Sequence, residues 1–278
     1  MSPASAAIDT ASIFARNRAR GLIDLSVIER DGRTRRRRLV EEGSLRIRLP
    51  DVSGVESEAV ILNTAGGIAG GDDFSIAIDA GQSAQLAVIS AAAEKVYRAM
   101  EEPSRIAVRL SAAKGALLRW LPQETILFDG ARLHRSIEVD VAEGGALVMA
   151  ESTVFGRSAM DETVRSGALV DRWRIRCGGK LVFADTLRIG GDIAALLARP
   201  AAAAGAAAVA TVVIAPADEA TAEKARACFS GFVSEAGASA WNGIAVIRLC
   251  GKDAAALRRE LISILNHLCG ALPRLWTN

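Results

Sequence analysis

Histidine is nearly absent from this chain. Only two occur in 278 residues, His134 and His267. Neither sits in an H-x-x-x-H or H-E-x-x-H pattern, so a histidine-built zinc centre is excluded. His267 and Cys269 lie on a predicted helix. At ~100° per residue they point ~200° apart, too far to share a metal. The four cysteines, at 177, 228, 250 and 269, form no C-x-x-C pair. A chain of this length needs no stapling, so they read as reduced, mostly buried thiols of a cytosolic protein. Aromatic residues make up 4% and include one tyrosine. That is too sparse for a platform on which sugars or bases stack. The first twenty residues hold no apolar core of signal-peptide type. The longest uncharged stretch, Pro200 to Ala217, is alanine-rich and broken by Gly and Pro. It reads as a loop leading into a buried strand, not as a membrane span.

What is present is apolar. Half the residues are hydrophobic and 24% are charged, a globular composition able to bury a large core. Net charge is +2, which implies no strong attraction to nucleic acid or membrane. Residues 1–50 carry 11 Arg against 6 acids, concentrated in "RNRAR" and in "RTRRRR" (Arg33 to Arg38). The default for such runs is a solvated face, with an acidic partner as the functional alternative.

Up to about residue 190 the chain alternates with period two. Phe74, Ile76 and Ile78 fall on one face, as do Ile106, Val108 and Leu110, and then Ile137, Val139 and Val141. In "RWRIRC", Trp173, Ile175 and Cys177 point in while Arg172, Arg174 and Arg176 point out. "GALVMAESTVF" and "GGKLVFADTLRI" read as fully buried. Turn signals such as "DG" at 31–32 and 129–130 separate these segments. Many short strands imply an extended, mainly β architecture.

The last seventy residues change character. "TVVIAP" reads as a strand and "DEATAEKARACFSGF" as a helix with Ala222, Ala225, Phe229 and Phe232 on one side. "GIAVIRL" is a strand again. "KDAAALRRELISILNHLCG" is a helix capped by Asp253, striped by Leu257, Leu261, Ile264, Leu265 and Leu268, and stopped by Gly270. One domain is expected over 1–278: a β-rich body over about 20–195 and a βαβα-like segment over about 205–275.

"LNTAGGIAGGDDFSIAID" places Gly66, Gly67, Gly70 and Gly71 within six positions. A dinucleotide fold needs G-x-G-x-x-G, and this is G-G-x-x-G-G. Gly66 and Gly71 match the glycines of a P-loop, but Asp72 and Asp73 stand where Lys and Ser/Thr belong. Carboxylates repel phosphates, and the element that follows alternates as a strand, so no helix N-terminus meets an anion. The glycines therefore serve backbone geometry or close approach. No G-x-S-x-G elbow occurs. Acids are plentiful, including Asp72, Glu124, Asp129, Glu151 and Glu162, so a β-rich hydrolase with a carboxylate pair stays open as an alternative.

Five stretches together resemble the urease accessory protein UreD (UreH) family: "LNTAGGIAGGD", "AAAEKVYRA", "WLPQETILFDGARLHR", "ESTVFGRSAMDE" and "DRWRIRCGGKLVFADTLRI". The motif positions include Asn63, Gly66, Gly67, Gly70, Gly71, Tyr97, Pro122, Gln123, Gly156 and Arg157. Two positions depart from the family pattern, Ile68-Ala69 in the glycine loop and Asp161 before Glu162. The resemblance implies a β-helix-like or stacked-sheet body with two C-terminal α-helices. It also implies a non-enzymatic, cytoplasmic scaffold with no catalytic residues and no tightly bound cofactor. Such proteins join UreF and the GTPase UreG, dock on apo-urease and assist nickel insertion, with dimerisation through the UreD–UreF–UreG complex allowed. Nickel is cargo in transit. A conduit must release its ion, so oxygen donors suit it better than a His/Cys cage. Asp72, Glu124, Glu151 and Glu162 are the candidate path acids, each weighed against a turn cap or an ion pair with Arg98, Arg132 or Arg157.

Overall fold

The computed structural model describes residues 18–50, 56–157, 160 and 162–277. Arg16, the reading of the N-terminal stretch as no targeting signal, and the Asp161 departure lie outside these residues.

The chain opens with a hairpin of β1 (Arg20–Arg30) and β2 (Arg33–Gly43). Its Asp31-Gly32 turn has φ of 54° and 74°, the left-handed pair that such a two-residue hairpin requires. Then follow β3 (Leu45–Arg48), β4 (Ser57–Asn63), β5 (Asp73–Ala80), β6 (Gln85–Ser90), β7 (Glu94–Val96), β8 (Ser104–Ala112) and β9 (Leu117–Leu121). Next come β10 (Thr125–Leu127), β11 (Arg132–Val141), β12 (Ala146–Phe155), β13 (Ser166–Cys177) and β14 (Lys180–Asp192). The C-terminal part holds α1 (Ile193–Ala198), β15 (Ala208–Ala215), α2 (Glu219–Ala227), β16 (Glu235–Trp241), β17 (Ile244–Gly251) and α3 (Ala254–Cys269).

The body is a β-solenoid of two facing sheets. Strands β1, β5, β8, β11 and β13 run parallel in one seven-stranded sheet. Strands β4, β6, β9 and β12 run parallel in a ten-stranded sheet. The chain crosses from one sheet to the other and back, adding one strand to each per coil. Parallel stacking puts equivalent residues in ladders. Ile23, Ile76, Val108, Ile137 and Trp173 form one, and Leu25, Ile78, Leu110, Val139 and Ile175 form the next. All are buried between the sheets. Alternation in sequence thus becomes an apolar seam along the solenoid.

A second core lies on the outer face of the ten-stranded sheet. There Val148, Ala150, Ile247 and Leu249 meet Leu257, Leu261, Ile264 and Leu265 of α3, and Trp276. Asp253 caps α3 by accepting from Ala255 and Ala256 N–H, and Gly270 ends it at φ 76°.

The structure corrects several expectations. The C-terminal segment is βαββα, because β16, "EAGASAW", pairs antiparallel with β17. Its inner residues are mostly small, so no apolar pattern announces it. Helix α2 ends at Ala227, and Phe229 and Phe232 lie in the turns beyond it while still packing on the second core. Strand β14 is largely exposed, with Leu181 and Leu187 open to solvent, because it is the edge of its sheet. His134 lies exposed in β11. All four cysteines are free and half-buried.

Candidate functional site

The bare backbone at Gly66–Gly71 is required by the segment that passes beside it. Ile68 N–H donates to Lys95 O at 2.7 Å, and Tyr97 N–H donates back to Ile68 O at 2.8 Å. A Cβ on Gly67 would sit 2.3 Å from Tyr97 Cε2, and one on Gly70 would sit 2.6 Å from Ala99 Cβ. Gly66, Gly67 and Gly71 also have φ of 77°, 147° and 84°, which side chains disfavour. Asp72 closes the turn. Its carboxylate accepts from Ala69 N–H at 2.7 Å and from Ala19 N–H at 2.8 Å. Asn63 braces the loop from the other side, donating to Gly67 O at 3.0 Å and to Glu94 Oε1 at 3.2 Å. Burial pushes the Glu94 carboxyl up to about 7, against the Asn63 hydrogen bond and with the help of nearby Asp72.

The loop supports a surface basin of about 540 Å³. Tyr97 donates its hydroxyl to Gly66 O at 3.1 Å and meets Phe128 edge-to-face at 5.2 Å. The Arg157 guanidinium lies 4.2 Å from the Phe128 ring centre and forks onto Glu162 with Nε to Oε2 at 2.8 Å. Gly156, at φ 83°, lets the chain turn there, since a Cβ would meet Glu162 O at 2.5 Å. Asp129 accepts from Arg165 and Ser166 N–H at 2.8 and 3.0 Å and pairs with Arg98 at 3.0 Å. The Ser166 N–H leads in holding the Asp129 carboxyl below its ordinary range, and the Arg157 hydrogen bond does the same for Glu162.

A third group lies inside the solenoid. Phe74, Ile106, Arg135 and Asp171 form one inward ladder across four strands, with Leu187 of edge strand β14 as its solvent-open last rung. Two of its rungs are charged. Arg135 binds Asp171 through Nε to Oδ1 at 3.0 Å and Nη2 to Oδ2 at 2.6 Å. Its Nη1 reaches Glu151 Oε2 of the facing sheet at 2.5 Å, and Trp120 Nε1 donates to Glu151 Oε1 at 2.7 Å. Burial raises the Glu151 carboxyl, opposed by Arg135 and aided by Asp171. Beside them, toward Asp185, Leu187 and Thr211, is a cavity of about 40 Å³. It has room for a water or a single ion, not a sugar ring. Two acids already clasped by one arginine in so small a space do not make a glycosidase cleft.

The four acids singled out in the sequence go to four places, and no two side chains share a partner. Asp72 caps the glycine turn, Glu151 joins the interior triad and Glu162 lines the basin. Glu124 accepts from Arg258 Nη1 of α3 at 2.5 Å. Gln123 accepts from the same guanidinium at 2.6 Å and donates to Leu275 O at 2.9 Å. With half-buried Pro122 before them, these residues lock the last helix and the tail onto the body. No group of three or more His, Cys, Asp or Glu is poised around a metal position among the described residues.

Arg135 and Asp171 were not singled out in the sequence. Their signal is phase. Arg135 falls in step with Leu133, Ile137 and Val139, and Asp171 with Leu169, Trp173 and Ile175, where only apolar residues are expected. No helix among the described residues is long and apolar enough to cross a membrane.

Comparison with known sequences covers nearly the whole chain. The model of the family described as UreD urease accessory protein matches residues 19–277. The urease accessory protein UreD of Rhodopseudomonas palustris strain BisA53 is 50% identical over all of this chain and 97% of its own length. That of strain HaA2 is 52% identical over 98% of each chain. The urease accessory protein UreD 3 of Bradyrhizobium sp. strain BTAi1 is 51% identical over 99% of each. A two-sheet solenoid that carries these motifs, with half its residues shared with such relatives along its full length, belongs to the UreD family of urease accessory proteins.

Proposed function

We propose that the chain is a non-enzymatic, cytoplasmic scaffold that works with UreF and UreG to deliver nickel to apo-urease. The observation that carries the delivery step is the interior triad beside its small cavity. Glu151 and Asp171 offer hard oxygen donors between the sheets, and Arg135 supplies the counter-charge in their resting state. Two carboxylates against one guanidinium leave a formal excess of one negative charge in a poorly solvated place, which favours a cation. Arg135 competes with that cation, so the ion is held weakly and leaves again. A His/Cys cage would hold it tightly, which suits storage and not transit. Asp72, Glu124 and Glu162 bind in the glycine turn, the α3 clasp and the surface basin and do not line this cavity, so they are not proposed as its ligands. Hydrolysis of GTP falls to UreG, in keeping with the failed P-loop match at Gly66–Asp73.

The test is co-expression with the cognate UreF, UreG and apo-urease, followed by nickel analysis and urease assay. Without this chain, urease is expected at full protein level but poor in nickel and inactive. Full nickel content and activity in its absence would sink the reading. Glu151→Gln, which leaves Arg135 paired with Asp171, is expected to slow activation while the proteins still co-purify.

A further inference from the structure

We infer that the Tyr97–Phe128–Arg157 basin is a docking surface for a partner-protein segment that presents a carboxylate next to an apolar side chain. Seven large hydrophobic side chains are exposed among the described residues; of these Tyr97 lines the basin, and Met100 and Met160 each stand two residues along the chain from a lining residue, Arg98 and Glu162. Met100 is 84% exposed, Met160 68% and Tyr97 38%. Met100 follows Ala99, whose N–H is bound to Gly130 O, and Met160 sits in the turn closed by its own N–H on Arg157 O. Tyrosine, methionine and arginine are the residue types that protein interfaces concentrate.

The basin is rigid before anything binds. Tyr97 is tied at its hydroxyl and stacked at its ring, and Arg157 is held by Glu162 on one side and Phe128 on the other. Ordering these side chains therefore adds little cost to association. The charge is complementary to an acid. Both carboxylates in the lining are consumed internally, Asp129 by Arg98 and two backbone N–H groups and Glu162 by Arg157. Arg165 lines the same basin, and its guanidinium has no partner among the described residues. A free inorganic anion would satisfy Arg165 but leave Met100 and Met160 in water. A protein segment covers both.

The inference rests on the accessory-protein reading, because its probe is the cognate UreF, a partner which that reading names. The affinity of the full chain for UreF would be measured with three variants. Met100→Ser/Met160→Ser and Arg165→Glu are each expected to weaken binding by about tenfold or more. Arg165→Lys is expected to stay within about threefold, since it keeps the charge. All of these side chains are exposed, so the fold is unaffected, and unchanged circular dichroism and melting verify that. Val233→Ser, at an exposed hydrophobic distant in the chain, serves as the control and is expected to bind as wild type. Basin variants that bind UreF as tightly as wild type overturn the inference and leave the accessory reading intact. A wild-type chain that does not bind UreF overturns both.

Discussion

Arg135 and Asp171 face each other edge to edge inside the solenoid, with 3.0 and 2.6 Å between their paired nitrogens and oxygens. They are neighbouring rungs of one parallel ladder, so the backbone itself sets their spacing. Arg135 also binds Glu151 from the other sheet, and thereby ties the two sheets together. Arg135→Met leaves two buried carboxylates without a counter-charge. The expected loss is about 3–5 kcal/mol in urea unfolding. Arg135→Met/Asp171→Leu/Glu151→Leu is expected to recover most of it, because an apolar replacement strands no charge.

The glycine loop makes a graded prediction. Gly66→Ala meets open space and faces only its left-handed φ, so about 1 kcal/mol is expected. Gly67→Ala must also displace the Tyr97 ring, and about 2 kcal/mol or more is expected. Thermal melting of the two variants side by side checks the order. Equal losses would mean that the Tyr97 ring and the Lys95 carbonyl both yield freely.

Glu94 gives the protein a pH dependence. Its folded carboxyl titrates near 7 against an ordinary value of 4.5, so the folded state holds more protons than the unfolded state between these values. Stability is then lost as pH rises from about 4.5 to 7 and levels off above, on the order of 3 kcal/mol in all. Glu94→Gln keeps the shape and removes the charge. It is expected to abolish this slope and to exceed wild type in stability at pH 8, read by denaturant titration across that range.

The clasp of Arg258 on Gln123, Glu124 and Trp276 O holds the C-terminal helix to the body. Arg258→Ala is expected to cost about 2 kcal/mol, the range for hydrogen bonds to charged groups. It is also expected to speed proteolysis at Arg274. Arg259→Ala, one position on and exposed, is expected to stay within about 0.5 kcal/mol.

Much of the body was legible because a solenoid repeats one local rule. Phe74, Ile76 and Ile78, or Ile137, Val139 and Val141, need only alternation to declare an inward face. The capped helix α3 was equally plain, since Asp253, the leucine stripe and Gly270 are local signals. Strand β16 was not, because its pairing with β17 and not its own hydrophobicity makes it a strand. Strand β14 has the composition of a buried strand and lies open because no further strand follows it in its sheet.

The acids divide in the same way. Residue type and place in the family-like motifs marked Asp72, Glu124, Glu151 and Glu162 together, yet they bind a turn, a helix, a buried arginine and a surface arginine. What the amino-acid order determined by itself was the strand period, the turns, the helix caps and the family motifs, all properties of neighbours along the chain. What only the tertiary structure decided was which charges meet. Arg135, Glu151 and Asp171 are brought together by coil stacking and sheet facing, and Tyr97, Phe128 and Arg157 by the turns that the glycines permit. Coulombic and packing energies depend on distance in space, and that distance exists only after the coils close.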